Sequence, residues 1–377
     1  MNKGYFLSQD VVLRLLESPS VYHVKRDELY ELNDDAFSFL ENCREAEGCT
    51  TDDEEFLNYC LSEGILTESR PGPLEYTIRQ SPVPSLRYLE LLITDQCNLR
   101  CRHCYIGEPA RRELSLHEIR SVLDEFEEMQ GLRVLISGGE PLMHSEFERL
   151  NEYLRHYPLR TVLLTNGLLL TEKRLRNLSV DEIQVSIDGI GHSHEAIRGR
   201  DTYKRTVDAM KRAIEKGFQV SVSTMVHPGN LEQFEEMERL FRSLGVKEWT
   251  VDVPCMSGRM TEELLLPPEV AGRYLRYGYG GGFHGGAEGY GCGVHLVSVL
   301  PDGSVAKCAF YSDRPVGHIS EGLESCWKKV APIKIDELDE CKSCPFVTDC
   351  RGGCRYRAEL LGSTEGRDIY KCHAFED

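Results

Sequence analysis

Three closely spaced cysteines are the residues of this sequence best suited to carry chemistry. Cys97, Cys101 and Cys104 follow the pattern C-x3-C-x2-C. Three thiolates at this spacing can ligate three irons of a cubane cluster and leave the fourth iron open to a substrate. A structural zinc site needs four protein ligands, so the spacing favours iron over an incomplete zinc site.

A second group of cysteines lies in the last third of the sequence. Pro301-Asp302-Gly303 stands between two apolar stretches, 297–300 and 304–308, which predicts a hairpin that brings Cys292 close to Cys308. Zinc knuckles are an alternative interpretation of this region. The seven cysteines concerned are Cys292, Cys308, Cys341, Cys344, Cys350, Cys354 and Cys372. The other five are scattered: Cys43, Cys49, Cys60, Cys255 and Cys326.

Strands alternate with helical sequence from Tyr88 onward, and this alternation predicts the element that positions the cysteine triad. Such repetition favours parallel strands beneath a layer of helices, an α/β partial (β/α)6 TIM barrel spanning residues 81–285. The triad follows the first strand directly, and the loops after barrel strands are where chemistry takes place. A helix is predicted at 115–129. The six predicted strands are 88–94, 134–137, 161–165, 183–187, 219–226 and 247–253.

The triad and the ends of the next strands together resemble the radical S-adenosylmethionine (SAM) superfamily. That family carries C-x3-C-x-φ-C with a usually aromatic φ, where this sequence has His103, and its GGEP segment corresponds to residues 138–141. The resemblance implies a [4Fe-4S] cluster on the triad and bound SAM. It assigns the SAM amino group to the GGEP segment, the carboxylate to a serine and an arginine, and adenine to an apolar or aromatic residue. The implied SAM contacts are Tyr105, Gly138, Gly139, Glu140, Asn166, Ser186, Arg198 and Val226.

The C-terminal cysteines, with Gly303, resemble the SPASM extension of radical SAM enzymes, a cysteine-rich domain predicted here over residues 286–377. The resemblance implies two auxiliary iron–sulfur clusters, for a total of three [4Fe-4S] clusters. Cys341, Cys344, Cys350 and Cys372 would complete one cluster. Cys292, Cys308 and Cys354 would hold the other, and residues 293–307 contain no cysteine that could be its fourth ligand. That cluster is therefore either open to a substrate thiolate or closed by another residue. Cys255 and Cys326 are possible donors, although packing in the core is the commoner role.

The sequence pattern of residues 1–80 predicts a separate winged-helix-like domain followed by a linker. Residues 21–32 alternate as a strand pair with a polar turn at 25–28, Asp34 or Asp35 could cap a first helix, and Thr51 with Glu54 has the spacing of a capping box. The segment resembles the small peptide-chaperone domain of pyrroloquinoline quinone biosynthesis, a RiPP recognition element. The resemblance implies that a leader peptide is bound as an added strand.

Charge and composition limit the class of partner. The chain carries 44 Lys and Arg against 62 Asp and Glu, a net charge of −18, which disfavours nucleic acid and anionic membranes. Residues 1–80 hold 7 basic and 17 acidic residues, or −10 of that total, so we expect a leader with basic residues. No apolar run is long enough to span a membrane, and residues 1–5 lack a signal-peptide core, so a cytoplasmic location is expected.

The combined resemblance implies a SPASM-type radical SAM maturase of a ribosomally synthesised peptide. The expected partners are a precursor peptide bound by its leader and a low-potential electron donor of the flavodoxin or ferredoxin type. Hydrogen abstraction from a core-peptide residue followed by thioether formation is the preferred hypothesis, because an open auxiliary cluster could bind the substrate thiolate. A carbon–carbon cross-link and an oxidative decarboxylation are alternatives, a sulfatase-type maturase is disfavoured, and a zinc-stabilised peptide-binding adaptor is the non-enzymatic alternative.

Overall fold

The computed structural model describes residues 4–45, 47–72, 76–280 and 289–375. The boundary predicted between residues 285 and 286 lies outside the described residues. No helix among those described has the length and apolar character needed to cross a bilayer. Three regions follow one another along the chain: an N-terminal domain, a parallel barrel sheet and a cysteine-rich C-terminal region.

The N-terminal domain combines a three-stranded antiparallel sheet with two short helices. Its elements are β1 (Phe6–Leu7), β2 (Val11–Leu15), β3 (Pro19–His23), β4 (Glu28–Glu31), α1 (Asp34–Asn42), α2 (Glu54–Ser62) and β5 (Leu66–Thr67). The sheet order is β2-β3-β4, so β4 is an edge strand, and β1 pairs separately with β5. The predicted turn joins β3 to β4.

Both predicted helix caps in this domain are displaced by one or two residues. Asn33, not Asp34 or Asp35, caps α1 by accepting the Ala36 N–H at 2.8 Å. The cap must lie outside the helix in extended backbone, so the two aspartates occupy the first turn instead. Asp53, not Thr51, caps α2.

A disulfide joins Cys43 to Cys49, which the composition did not lead us to expect. Cys43 ends α1, and Cys49 forms a backbone bridge with Tyr5. The bond therefore ties the end of the first helix to the chain segment that enters the domain.

The barrel contains the six predicted parallel strands, each followed by helical sequence. Ser115 caps α3 in a complete capping box, and the apolar faces of the helices pack on Leu89, Leu91 and neighbouring strand residues. The elements are β6 (Tyr88–Thr94), α3 (Leu116–Glu128), β7 (Arg133–Gly138), α4 (Phe147–Leu154), β8 (Arg160–Thr165), α5 (Glu172–Asn177), β9 (Glu182–Ser186), α6 (His192–Arg198), α7 (Tyr203–Glu215), β10 (Gln219–Met225), α8 (Phe234–Leu244), β11 (Glu248–Asp252) and α9 (Pro268–Ala271).

The C-terminal region extends the barrel sheet. The predicted hairpin is present, and its first strand pairs in parallel with β6, which gives one nine-stranded sheet. The elements are β12 (Leu296–Val299), β13 (Ser304–Ala306), β14 (Gly317–His318), α10 (Leu323–Trp327), α11 (Val347–Cys350), α12 (Arg355–Leu360) and α13 (Ile369–Cys372). The strand order of the sheet is β11-β10-β9-β8-β7-β6-β12-β13-β14.

The N-terminal domain contacts the barrel at the amino ends of its strands. Asp27, in the turn before β4, forms ion pairs with Arg133 at the start of β7 and with Arg160 at the start of β8. Arg160 also donates to the carbonyl oxygens of Val24 and Lys25 and pairs with Glu182 at 2.5 Å. This contact is at the opposite end of the strands from the loop that carries the cysteine triad.

Candidate functional site

A cavity of about 850 Å³ lies inside the barrel sheet and opens at the carboxyl ends of its strands. Its wall contains cysteines from two distant parts of the sequence. They are Cys97, Cys101 and Cys104 from the loop after β6, and Cys292, Cys308, Cys350 and Cys354 from the C-terminal region. The pairing of β12 with β6 explains this proximity, because it places the hairpin flanked by Cys292 and Cys308 beside the strand that leads into the triad.

The triad loop is held by the segment that follows β11. Arg259 donates from its backbone N–H to the Cys104 carbonyl at 2.9 Å and from Nε to the Cys101 carbonyl at 3.0 Å. At Gly258 a Cβ atom would lie 2.2 Å from the Cys104 carbonyl oxygen, so only glycine permits this close approach. Burial raises the pKa of Cys101, and the nearby positive charges of Arg198 and Arg259 act against it.

Gly138 and Gly139, at the end of β7, line the cavity next to the triad loop. Cβ atoms at these positions would lie 2.2 Å from the Thr94 oxygen and 2.4 Å from the Gln96 oxygen. The backbone therefore lies directly against the start of the triad loop, with the Gly139 N–H bonded to Thr94 at 2.8 Å. Both glycines line the cavity, as a cradle for a ligand that approaches the backbone closely requires.

Glu140 has partners within the protein and is not part of the cavity wall. It is fully buried and accepts hydrogen bonds from Thr165 Oγ1 at 2.8 Å, the Asn166 N–H at 2.9 Å and the Leu142 N–H at 3.2 Å. Its side chain thus ties the end of β7 to the end of β8. Asn166 does line the cavity, and its Nδ2 donates to Asn98 Oδ1 at 2.8 Å beside Cys97.

Asp188 connects Arg198 and the triad loop to the end of β9. Its Oδ2 lies 2.6 Å from Arg198 Nε and 3.0 Å from His103 Nε2, while Oδ1 accepts the Met225 N–H at 2.8 Å. Burial favours the neutral acid, but the charge of Arg198 and the contact with His103 outweigh it and hold the pKa of Asp188 well below its ordinary value. Asp188 is therefore an ionised, fully buried carboxylate that orients Arg198.

The remaining implied SAM contacts differ in position. Ser186 and Arg198 line the cavity, whereas Val226 is buried outside its wall and the adjacent Met225 faces the space instead. Tyr105 lines the cavity on the C-terminal side, with its ring centroid 5.2 Å from that of Phe310. The Nδ1 atom of His103 is buried and has no hydrogen-bond partner among the described residues.

The seven C-terminal cysteines form two groups of neighbouring thiols. Cys354 donates a hydrogen bond to Cys292, which lowers the pKa of Cys292 and raises that of Cys354, and the charge of Cys292 acts on nearby Cys308. Lys307 lies beside all three thiols.

In the second group, burial raises the pKa of Cys372, and the neighbouring Cys350 and Cys341 raise it further. Cys344 in turn acts on Cys341. Neither Cys255 nor Cys326 lines the cavity. Cys326, on α10, packs in the core, and its thiol donates to the His318 carbonyl at 3.4 Å.

The donor set is made of thiols, the ligands that iron–sulfur clusters use. Among the described residues, no three His, Cys, Asp or Glu side chains are arranged to hold one metal ion. Arg355, between the two C-terminal groups, is fully buried, and its Nε and Nη2 have no partner in the described part of the chain. Buried cationic donors beside a set of thiols suit an anionic, thiolate-ligated group.

Glu90 is the main cavity residue that sequence reasoning missed. It lies on β6, lines the cavity, and accepts hydrogen bonds from Ser298 Oγ at 2.6 Å and from Ser137. Burial raises its pKa. A charged residue in the middle of the apolar segment 88–94 was the available signal.

Comparison with known proteins agrees with this geometry. Residues 91–241 match the sequence profile of the Radical SAM superfamily. The mycofactocin maturase MftC of Mycolicibacterium smegmatis is 28% identical over 300 residues, which cover 70% of this chain and 76% of that protein. An AdoMet-dependent heme synthase of Oleidesulfovibrio alaskensis is 28% identical over 187 residues. That second match covers 48% of this chain and about half of the relative, 48% of its length.

Solved structures extend the likeness to the whole chain. Streptococcus suis SuiB bound to S-adenosylmethionine superposes with a TM-score of 0.71 at 16% identity, covering 97% of this chain and 99% of that one. SuiB has the same fold, so the predicted α/β partial barrel is confirmed. Residues 91–241 form a radical SAM domain, and the resemblance inferred from the cysteine triad is confirmed.

Proposed function

We propose that this protein is a radical SAM maturase that modifies a ribosomally made precursor peptide and forms a thioether cross-link in it. One observation carries the proposal: a single cavity is lined by the complete triad and by all three cysteines of the incomplete C-terminal group. The names of similar proteins support it, since MftC is a maturase and SuiB has been solved with its precursor peptide SuiA.

The triad side of the cavity binds the cofactors. SAM and a [4Fe-4S] cluster, when bound, supply a 5′-deoxyadenosyl radical that takes a hydrogen atom from the peptide. Cys97, Cys101 and Cys104 ligate three irons, and the backbone at 138–139 admits the amino end of SAM. Arg198, oriented by Asp188, binds its carboxylate. The enclosing wall keeps water away from the reacting atoms.

The C-terminal side supports a thioether product. Cys292, Cys308 and Cys354 line the cavity, so an auxiliary cluster on them would face the substrate. Of the other group only Cys350 reaches the wall, as suits a cluster ligated fully by protein and used for electron transfer. A substrate cysteine at the open cluster would be deprotonated and close to the carbon that loses hydrogen. Carbon–carbon cross-linking and oxidative decarboxylation need the same cofactors without that thiol.

The N-terminal domain is proposed to bind the leader at the outer edge of β4. No described strand pairs with this edge, so its backbone groups can accept an added strand. Glu28 and Glu63 lie beside it, with carboxylate oxygens 2.6 Å and 3.0 Å from the Tyr30 hydroxyl, and Glu63 also pairs with Arg26 at 3.3 Å. Their charges favour a leader with basic residues. Electrons for the triad are proposed to come from a flavodoxin or ferredoxin.

Anaerobic reconstitution tests the cofactor part of the proposal. The full-length protein should bind iron and sulfide, absorb near ~400 nm as thiolate-ligated clusters do, and cleave SAM to 5′-deoxyadenosine under dithionite. Cys97→Ala, Cys101→Ala and Cys104→Ala should each abolish cleavage, and Cys326→Ala, which removes a thiol outside the cavity, should retain it. A colourless, zinc-loaded protein without cleavage would favour a peptide-binding adaptor instead.

Co-expression with short peptides encoded in neighbouring reading frames tests the product. A thioether gives a loss of two hydrogens that disappears when the peptide cysteine is replaced by serine. A carbon–carbon link survives that replacement, and decarboxylation appears as loss of carbon dioxide. Charge reversal by Glu28→Lys with Glu63→Lys should weaken leader binding. Unchanged binding would contradict the proposed leader site.

A further inference from the structure

Arg355 is a buried cation with unused hydrogen-bond donors. It follows Cys354 directly and begins α12. Its Nη1 donates to the carbonyl oxygens of Thr364 at 2.9 Å and Gly366 at 2.7 Å, which fixes the guanidinium in place. Nε and Nη2 are buried without a partner among the described residues, and the whole residue is 0% exposed.

This arrangement is costly unless an anion is present. A buried guanidinium loses its hydration, and neutral carbonyl oxygens compensate for only part of its charge. None of the carboxylates in the described ranges forms an ion pair with it. Buried N–H groups are almost always hydrogen-bonded in folded proteins. The free N–H groups of Arg355 therefore indicate an anionic acceptor that the protein binds.

The thiols around Arg355 indicate where that anion lies. Of the charged groups near Cys341, Arg355 has the largest effect on that thiol, and a Cβ atom at Gly352, two residues after Cys350, would lie 3.3 Å from Arg355 Nη2. Cys292 also lies near Arg355, through the backbone N–H and the charge of that residue, but its group has a second cation beside it, Lys307. The guanidinium is bound to residues 364 and 366, in the segment that leads to Cys372. We therefore assign the free N–H groups of Arg355 to an anion on the four-cysteine group, which consists of Cys341, Cys344, Cys350 and Cys372.

We propose that Arg355 donates its two free N–H groups to sulfur atoms of the auxiliary cluster on these four cysteines and raises that cluster's reduction potential. This inference rests on the proposed function, which supplies the auxiliary clusters. A cluster with four thiolate ligands is anionic, and reduction adds one more negative charge. Hydrogen bonds and a buried positive charge stabilise the reduced form more than the oxidised form.

A redox titration of the full-length protein tests the inference without measuring turnover. Cys97→Ala, Cys101→Ala and Cys104→Ala together provide a background in which only auxiliary signals remain. The signal that Cys344→Ala removes identifies the four-cysteine cluster in electron paramagnetic resonance. Arg355→Gln and Arg355→Lys are then compared in this background, with iron and sulfide content measured for each.

We expect Arg355→Gln to make the midpoint potential of that signal more negative by at least about 59 mV. For one electron this corresponds to a tenfold change in the reduction equilibrium. Arg355→Lys keeps the charge and should shift less. Arg367→Gln is the matched control, because Arg367 also acts on Cys341 and Cys372 but is exposed and pairs with Glu340 at 2.8 Å. The reduction equilibrium of the Arg367→Gln protein should change by less than about threefold, because solvent screens the charge of Arg367.

Three results would overturn the inference. The first is an unchanged midpoint in Arg355→Gln with wild-type iron content. The second is a shift confined to the signal that Cys308→Ala removes. The third is the absence of any auxiliary signal in a wild-type protein that cleaves SAM. Failure of the proposed function is distinct from these results, because it would appear as wild-type protein that does not cleave SAM.

Discussion

Replacement of Asp188 by asparagine removes the charge that orients Arg198 at the cavity wall while keeping nearly the same shape. The substituted amide can still accept the Met225 N–H through Oδ1, so the end of β10 keeps its contact. What is lost is the whole hydrogen bond from Arg198 Nε, 2.6 Å away, and the charged contact to His103, 3.0 Å away, because an NH2 group then stands in place of Oδ2.

The magnitude follows from the burial of both partners. A hydrogen bond between charged groups contributes roughly 1.5–3 kcal/mol, and each 1.4 kcal/mol changes a dissociation constant about tenfold. If Arg198 binds the SAM carboxylate, Asp188→Asn should weaken SAM binding roughly 10- to 150-fold. The triad depends on other contacts, chiefly with residues 258–259, so iron uptake should remain.

Equilibrium binding of SAM to the anaerobically reconstituted protein measures this effect, with iron content and thermal unfolding as checks on integrity. Asp181→Asn is the matched control, because Asp181 accepts the Thr161 N–H at 2.8 Å at the amino end of the barrel strands. It should leave SAM affinity unchanged. SAM affinity within about threefold of wild type in a folded Asp188→Asn protein would refute the positioning role.

Three further changes test other parts of the structure. Gly139→Ala places a Cβ 2.4 Å from the Gln96 oxygen, so it should cost roughly 1–3 kcal/mol of strain and weaken SAM binding; unaltered affinity would contradict the close approach. Glu90→Gln should lower cross-linked product about 10²-fold while 5′-deoxyadenosine formation continues, because the proton that the substrate thiol gives up at the cluster loses its acceptor. Equal loss of both products would exclude that role. Burial opposes ionisation of Glu17, but the Ser85 N–H and Arg87 lower its pKa to about 2. The stability that Glu17 contributes is therefore complete above pH 4.5 and lost toward pH 2. Denaturant unfolding of Glu17→Gln should differ from wild type at neutral pH and converge with it in acid.

Local patterns predicted most of the barrel and the triad. Strand 88–94 agrees with its predicted bounds, and Ser115 caps the helix predicted at 115–129, because alternation and capping depend on neighbouring residues. The parallel pairing of β12 with β6 was not predictable in the same way. It joins segments about two hundred residues apart, and nothing in either segment specifies the partner.

Side-chain partners at the site were harder to predict than its location. The GGEP segment lies where the resemblance implied, yet Glu140 bonds Thr165 and Asn166 and does not reach the cavity. Asp188 and Glu90 were visible as residues, but their roles depend on which side chains from other strands converge on them. A sequence shows the type of each group and seldom its distance from the others.

The proposed leader site and the cysteines lie at opposite ends of the barrel strands, and this separation sets a minimum length for the proposed peptide substrate. The turn before β4 contacts the amino ends of β7 and β8, whereas the cysteines lie at the carboxyl ends of the strands. A strand of seven residues such as β6 spans roughly 23 Å at ~3.3 Å per residue. A peptide held at the edge of β4 must cover at least this distance along the outside of the barrel, which takes about seven extended residues. Recognition and chemistry are then separated in space. If the N-terminal domain binds the leader, the residue that is modified must lie at least about seven residues from the bound segment, and the side chains between the triad and Cys308 then select among the residues that can reach the cavity.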